Sequence, residues 1–326
     1  MSFDVRDYEY DLPPELIAQE PAPNRSSSRL MVVNKANGRI ELATFRDIGR
    51  YLPAKALIVL NEAKVTPARL LGRKKTSTGR VELLILDPPL SPEAGTFDCP
   101  CLGKPGRSLT PGTELVFGEG RRELPALVLA AEADSPRRLV RFFFPRRPLA
   151  VLEDMGRVPL PPYIKRPARD DDAERYQTVY ATSPGAIAAP TAGLHFTPEL
   201  LAQIQASHEI VRVNLRVGAG TFAPLTDKQL QSGRLHEEFV EVGEESAQAI
   251  RQAQSRGDVV LAVGTTTARA LEWAVESGQV LPRRGPCDLF IRPGYRFKAV
   301  QALITNFHLP GSSLTLLVGA FMGQPA

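Results

Sequence analysis

Cysteine is scarce, with three in 326 residues. Three thiols cannot build a disulfide framework. Cys99 and Cys101 form a C-x-C pair, but no second close pair of Cys or His accompanies it, which argues against a structural zinc site. No apolar run approaches the ~20 residues that a bilayer-spanning helix needs. The acidic opening Met1–Pro14 lacks the apolar stretch of a signal peptide. There is no phosphate-binding P-loop, no nucleophile elbow and no H-E-x-x-H motif. Internal repeats and long low-complexity tracts are also missing. These absences point away from secreted disulfide scaffolds, membrane proteins and metalloenzymes, and toward a cytoplasmic protein that holds no metal.

The composition is that of a chain with a sizeable core, 43% hydrophobic and 23% charged. Its length suits one large domain or two ordinary ones. The formal net charge is only +4, yet residues 67–151 hold fourteen Lys and Arg against nine Asp and Glu. Such a local surplus either attracts a phosphate backbone or forms an ordinary solvated face.

Three zones differ in pattern. Residues 1–66 open with prolines and lead to the apolar run Ala56–Leu60, whose length suits a buried strand. Residues 67–151 carry short runs (Arg80–Leu86, Leu124–Leu129, Leu139–Phe144) between Gly, Pro and Ser turns, which predicts a small β-barrel or sandwich. Residues 152–326 alternate strand and helix: Thr197 caps a helix to about Ser207, Ile210–Leu215 is a strand, Glu244–Arg256 is a helix stopped by Gly257, Asp258–Val263 is a strand, and Ala268–Ser277 is a helix. Further strands are expected at Leu289–Ile291 and Ala302–Thr305. This order predicts an α/β body with a largely parallel sheet, made of residues 1–66 and 152–326, interrupted by a basic β-barrel-like insert at 67–151.

In such sheets ligands bind beyond the carboxyl ends of the strands. The loops expected there are Gly218–Phe222, Gly264–Thr267, Pro293–Tyr295 and Asn306–Gly311, with Ala189–Phe196 leading into a helix. The turn at Val217–Phe222 lacks a full dinucleotide fingerprint. Gly264-Thr265-Thr266-Thr267 reads either as an anion site or as a capped helix start. His195 and His308 read as bases, ligand contacts or structural groups. His236-Glu237-Glu238 suits proton transfer or a solvated turn.

Long motifs in order carry a resemblance. The opening Phe3–Val33, Leu60–Leu70 (LNEAKVTPARL), Pro159–Pro167 (PLPPYIKRP), Glu174–Ala181 (ERYQTVYA) and Gly185–Thr197 (GAIAAPTAGLHFT) resemble the S-adenosylmethionine:tRNA ribosyltransferase-isomerase family of queuosine biosynthesis. The likeness continues through Val217–Phe222, Leu235–Phe239 (LHEEF), Val263–Glu272 (VGTTTARALE), Leu289–Val300 and Leu303–Phe321, covering nearly the whole chain. Arg216 stands where relatives commonly have His.

The resemblance implies an α/β domain with an inserted β-barrel. It also implies S-adenosylmethionine as a consumed ribosyl donor, with no separate cofactor. The expected acceptor is 7-aminomethyl-7-deazaguanine at the wobble position of a tRNA with a GUN anticodon. The products are epoxyqueuosine in tRNA, adenine and methionine. No membrane partner is expected, and the protein is expected to be a monomer. The alternatives are a tRNA-binding relative without turnover and a conventional methyltransferase. A sulfonium acidifies the neighbouring ribose C–H and adenine must leave, so proton-transfer groups are required. His195, His236, Glu237 and His308 are the catalytic candidates on this view. Thr191, Gly193, Phe196, Gly218, Gly220, Phe222, Thr265, Thr266, Tyr295, Asn306 and Phe307 are the substrate-binding candidates. The aromatic ones are expected to stack on a base or face the sulfonium, or else to pack in the core. Arg69, Arg73, Lys74, Lys75 and Arg80 are expected to meet tRNA phosphates.

Overall fold

Proline-rich turns carry the chain from Asp4 to a hairpin of β1 (Arg29–Val33) and β2 (Ile40–Thr44). The computed structural model describes residues 4–77, 79–218, 220 and 225–323. The apolar run predicted as a strand is β3 (Ala56–Asn61), buried at all six positions. A short β4 (Ala63–Val65) follows it.

The chain then leaves the body for a closed, wholly antiparallel six-stranded barrel. Its strands are β5 (Arg69–Lys74), β6 (Arg80–Ile85), β7 (Gly95–Lys104), β8 (Glu114–Phe117), β9 (Leu124–Ala131) and β10 (Arg137–Phe144), in the order β10-β7-β6-β5-β8-β9. Closure leaves no free sheet edge. Alternation fills the interior: Val81, Leu83 and Ile85 of β6 meet Cys101, Phe117, Val140 and Phe142. Burial pushes the Cys99 thiol up to about 12 and the Cys101 thiol well above its usual range, so neither is suited to metal or redox work.

The barrel ends in α1 (Pro148–Met155), and a proline-rich segment leads through α2 (Asp172–Arg175) to β11 (Ser183–Ala186), which pairs with β4. The opening residues strap this segment down. Arg25 donates to the carbonyls of Glu174 at 2.8 Å and Leu194 at 3.1 Å, and Gln19 donates to the Tyr163 carbonyl at 3.0 Å. Arg166 grips Asp172 with two bonds of 2.7 Å.

The body continues with α3 (Pro198–Gln205), β12 (Glu209–Leu215), α4 (Asp227–Ser232), β13 (Arg234–Val242), α5 (Glu244–Arg256), β14 (Val259–Val263) and α6 (Thr265–Trp273). The last elements are the hairpin β15 (Val275–Glu276) and β16 (Gln279–Val280), then β17 (Arg283–Leu289), β18 (Ala302–Ile304) and α7 (Ser313–Met322). Six strands form one mixed sheet in the order β17-β13-β12-β3-β14-β18. The pairings β12–β3, β3–β14 and β14–β18 are parallel, and the two involving β13 are antiparallel.

β3 explains why its sequence shows no alternation. Leu57 and Val59 pack with Ala247, Ile250 and Ala253 of α5 on one face. Ile58 and Leu60 pack with Phe45, Phe196, Leu200 and Ile204 on the other. A strand covered on both faces is apolar throughout. Each fully buried Leu or Ile contributes about 1.5–3 kcal/mol.

The bounds of two elements differ from expectation. α6 starts at Thr265, three residues before the expected helix, because Gly264 (φ 97°) turns the chain and the threonines already lie in the first turn. It ends at Trp273 because Ser277 (φ 50°) and Gly278 (φ 83°) make the tight turn of the β15–β16 hairpin. β17 likewise precedes the run expected at Leu289–Ile291.

Candidate functional site

Because β3, β12, β14 and β18 run parallel, Asn61, Leu215, Val263 and Ile304 end at one rim. Asn61 ties that rim together. Fully buried, it donates to the Leu215 carbonyl at 3.0 Å and to Thr266 Oγ1 at 3.2 Å, and accepts the Leu215 amide at 3.0 Å. The Gly264 amide donates to the Ile304 carbonyl at 2.7 Å. Two groups of polar side chains stand on this frame.

The first joins the turn at Thr191–His195 to the one after β18. His195 Nε2 lies 2.9 Å from Asn306 Oδ1, and its Nδ1 lies 3.0 Å from Ser28 Oγ. Thr191 begins the same turn, and Gly193 is buried there against Tyr180, which leaves no room for a Cβ. Phe307 is 83% exposed beside Asn306. His308 Nε2 lies 3.1 Å from Thr305 Oγ1, and its carbonyl accepts the Tyr10 hydroxyl. Burial pulls His308 down from 6.5 to about 4.

The second joins the turn after β12 to β13 and α6. The Gly218 amide donates to Glu238 Oε1 at 2.8 Å. Gly220 lies flat on the His236 ring, and a Cβ there would come within 2.5 Å of three ring atoms. Glu238 is paired with Arg269 of α6, and His236 Nε2 stands 3.9 Å from it. Burial raises the Glu238 carboxyl, but the Arg269 guanidinium outweighs it, helped by His236 and the Gly218 amide, and holds it at about 2. Thr265 and Thr266 are buried in the first turn of α6, whose N-cap Gly264 offers no side-chain cap.

Several expected residues are placed elsewhere. Glu237 is exposed while Glu238 is buried beside His236, because neighbours along a strand face opposite ways. Phe196 is 1% exposed and edge-on to Phe45 at 5.0 Å, so it packs the core and stacks on no ligand. Tyr295 donates to Glu272 at 3.1 Å, and Glu272 also accepts the amides of Lys298, Ala299 and Val300. These amides precede β18, so Tyr295 belongs to the amino end of the sheet, away from the rim. Phe222 lies outside the described residues.

The basic candidates lie on β5 and β6 and, for Lys75, in the turn between them, partly neutralised. Arg69 pairs with Glu82 at 2.9 Å, Arg73 with Glu123 at 3.3 Å and Lys75 with Glu114 at 3.1 Å. Lys74 donates to the Ser108 carbonyl at 2.8 Å, and Arg80 has no ion pair among the described residues. Arg216 sets its guanidinium over the Phe239 ring at 4.5 Å. Asn61 and Arg269 are not among the residues expected at the site, and Glu238 is expected there only as part of the His236-Glu237-Glu238 run. Strand alternation, which puts Glu238 on the face of His236, was the available signal for one of them.

A cavity of about 390 Å³ opens where β4 meets α1 and the segment before α2, lined by Lys64, Glu153, Arg157, Arg169 and Asp170 among others. None of the expected site residues lines it. Among the described residues no group of three or more His, Cys, Asp and Glu is placed to hold a metal ion, and no helix is long and apolar enough to cross a membrane.

A mixed α/β sheet whose glycine- and histidine-bearing turns gather beyond the carboxyl ends of parallel strands, interrupted by a closed β-barrel, defines an α/β protein with an inserted barrel. The chain belongs to the family described as queuosine biosynthesis protein, which matches residues 5–326. It is 46% identical over 323 residues to the S-adenosylmethionine:tRNA ribosyltransferase-isomerase of Syntrophotalea carbinolica, covering 98% of this chain and 92% of that one. The protein of the same name from Caldanaerobacter subterraneus is 44% identical over 320 residues, covering 98% and 91%. The crystal structure of S-adenosylmethionine tRNA ribosyltransferase from Thermotoga maritima is similar at 36% identity and a TM-score of 0.51, covering 97% and 90%.

Proposed function

We propose that this chain is an S-adenosylmethionine:tRNA ribosyltransferase-isomerase. It moves the ribosyl part of S-adenosylmethionine onto 7-aminomethyl-7-deazaguanine at the wobble position of a GUN-anticodon tRNA and isomerises it. The result is epoxyqueuosine in tRNA, with adenine and methionine released. S-adenosylmethionine is consumed as substrate, with no separate cofactor. The protein works as a cytoplasmic monomer.

The observation that carries this reading is the joining of four motif turns at one rim, through His195–Asn306 and through Asn61–Thr266. Family membership supplies the reaction, and the rim supplies groups that suit it. The uncapped start of α6 at Thr265 and Thr266 suits the methionine carboxylate. Exposed Phe307 suits stacking on a purine-like base. Removing a proton beside the sulfonium needs a base; burial, which pulls His308 down to about 4, keeps its ring neutral but makes it a weak base. His195 and His236 are the remaining imidazoles of the rim.

The test is product analysis with an anticodon stem-loop RNA carrying the aminomethyl-deazaguanine. Adenine and methionine released in equal amounts, with a pentosyl mass gain on the RNA, is the expected result. S-adenosylhomocysteine instead indicates methyl transfer. RNA binding with no product indicates a relative without turnover. Either overturns the reading.

A further inference from the structure

One carboxylate links three of the sequence motifs. Glu238 of β13 has a side chain with no solvent exposure, and Arg269 of α6 is 4% exposed. Glu238 Oε2 takes the guanidinium through Nη1, while Oε1 takes the Gly218 amide at 2.8 Å. His236, two residues back on the same strand, turns Nε2 to within 3.9 Å of Oε1 and carries Gly220 on its ring. Strand, glycine turn and helix start are therefore held in register by one side chain.

A buried ion pair is a poor device for stability alone. Removing two charges from water costs as much as their attraction returns, and an apolar pair of similar volume is often at least as stable. This pair is also incompletely satisfied. Among the described residues, Arg269 Nε and Nη2 and His236 Nε2 are buried and meet no hydrogen-bond partner. Each such donor carries a desolvation penalty that a well-packed apolar core avoids. An arrangement this costly, placed where the motifs meet, is explained by what it positions.

We propose that Glu238 and Arg269 are positioning residues of the rim. They act through others, fixing Gly218 and the His236 ring that carries Gly220 against α6. The role rests on the ribosyl-transfer reading, while the geometry it describes does not.

Two variants test it. Glu238→Gln keeps the shape but removes the charge that pairs Arg269. The double variant Glu238→Leu/Arg269→Met replaces both polar groups together, leaving no orphaned charge. Thermal unfolding, kcat and KM for S-adenosylmethionine, and deuterium exchange at the Gly218 amide are measured for each. The double variant is expected to fold with a melting temperature near that of the wild type. Its kcat should fall about 100-fold, the scale of a misplaced reacting group, with a much smaller change in KM. Exchange at Gly218 should quicken at least about tenfold as its acceptor is lost. Glu245→Gln, an exposed change on α5, serves as the unaffected control.

A folded double variant with wild-type kcat and an unchanged Gly218 amide overturns the proposal. So does a loss of kcat no larger than the loss of folded protein. Where the double variant fails to fold, Glu238→Gln decides on the same criteria through kcat against KM. If the wild type releases neither adenine nor methionine, the functional reading fails. Exchange at Gly218 then still decides whether the pair holds the turn.

Discussion

His195 and Asn306 meet at 2.9 Å through Nε2 and Oδ1, across 111 residues of sequence. With an amide oxygen as acceptor, Nε2 of the neutral ring carries the proton, and Nδ1 accepts from Ser28 Oγ at 3.0 Å. Both ring nitrogens are thus engaged and the tautomer is set by the neighbours. Replacing Asn306 by Ala frees one side of the ring and removes a cross-link between two turns. Turnover should fall about 10- to 100-fold, the range typical of groups that orient a functional histidine. Steady-state kinetics with and without Ser28→Ala checks this. A fully active Asn306→Ala removes His195 from the reaction.

Gly220 is the second place where geometry leaves little freedom. A Cβ at this position would stand 2.5 Å from three atoms of the His236 imidazole, a rigid ring that cannot deform. Either the turn or the ring must shift. Gly220→Ala should cost about 1–3 kcal/mol in stability as an overpacked site, and lose turnover beyond what that accounts for. Comparing melting temperature with specific activity separates the two effects. A variant as active as the wild type shows that the ring and turn are not held together during reaction.

Much of this architecture was legible before coordinates, and the reasons are local. Ala56–Leu60 announced a buried strand because β3 is covered on both faces. Gly257 announced the end of α5 because it sits at φ 74°. The rim was legible because Gly-rich turns follow short apolar runs. What failed depended on partners distant in sequence. Tyr295 looks like a rim residue until Glu272 draws it to the other end of α6. Phe196 follows His195 in the motif, yet its side chain turns to Phe45. Asn61 closes an apolar run, and nothing local reveals that it binds both β12 and α6. Glu237 and Glu238 are neighbours of identical chemistry, and only the pairing of β13 decides which is buried.

His308 gives a pH prediction. Burial lowers its folded-state pKa from 6.5 to about 4, so the unfolded chain binds its proton first. Stability from the neutral buried ring is therefore complete above about pH 6.5 and is lost progressively as pH falls toward 4. His308→Gln keeps a polar group without the titration. Its melting temperature should fall less than that of the wild type between these two values. Parallel curves for the two proteins show that the ring is not shielded from protonation.

The barrel charges give the last prediction. Arg73 and Lys75 are paired with Glu123 and Glu114 at 3.3 and 3.1 Å, in pairs whose side chains are between 38% and 59% exposed. Exposed pairs of this kind contribute only about 0–1 kcal/mol, so removing the acids costs little stability. It does release two cations on the barrel surface. If this face meets tRNA phosphates, Glu114→Gln/Glu123→Gln should bind the anticodon stem-loop more tightly. The slope of log affinity against log salt should steepen by about 0.7–0.9 for each phosphate gained. Arg73→Ala/Lys75→Ala should do the reverse, weakening binding and flattening the slope. Filter binding across a salt series measures both. Equal slopes in all three proteins mean that the RNA lies elsewhere, and that the surplus charge of residues 67–151 is simply a solvated surface.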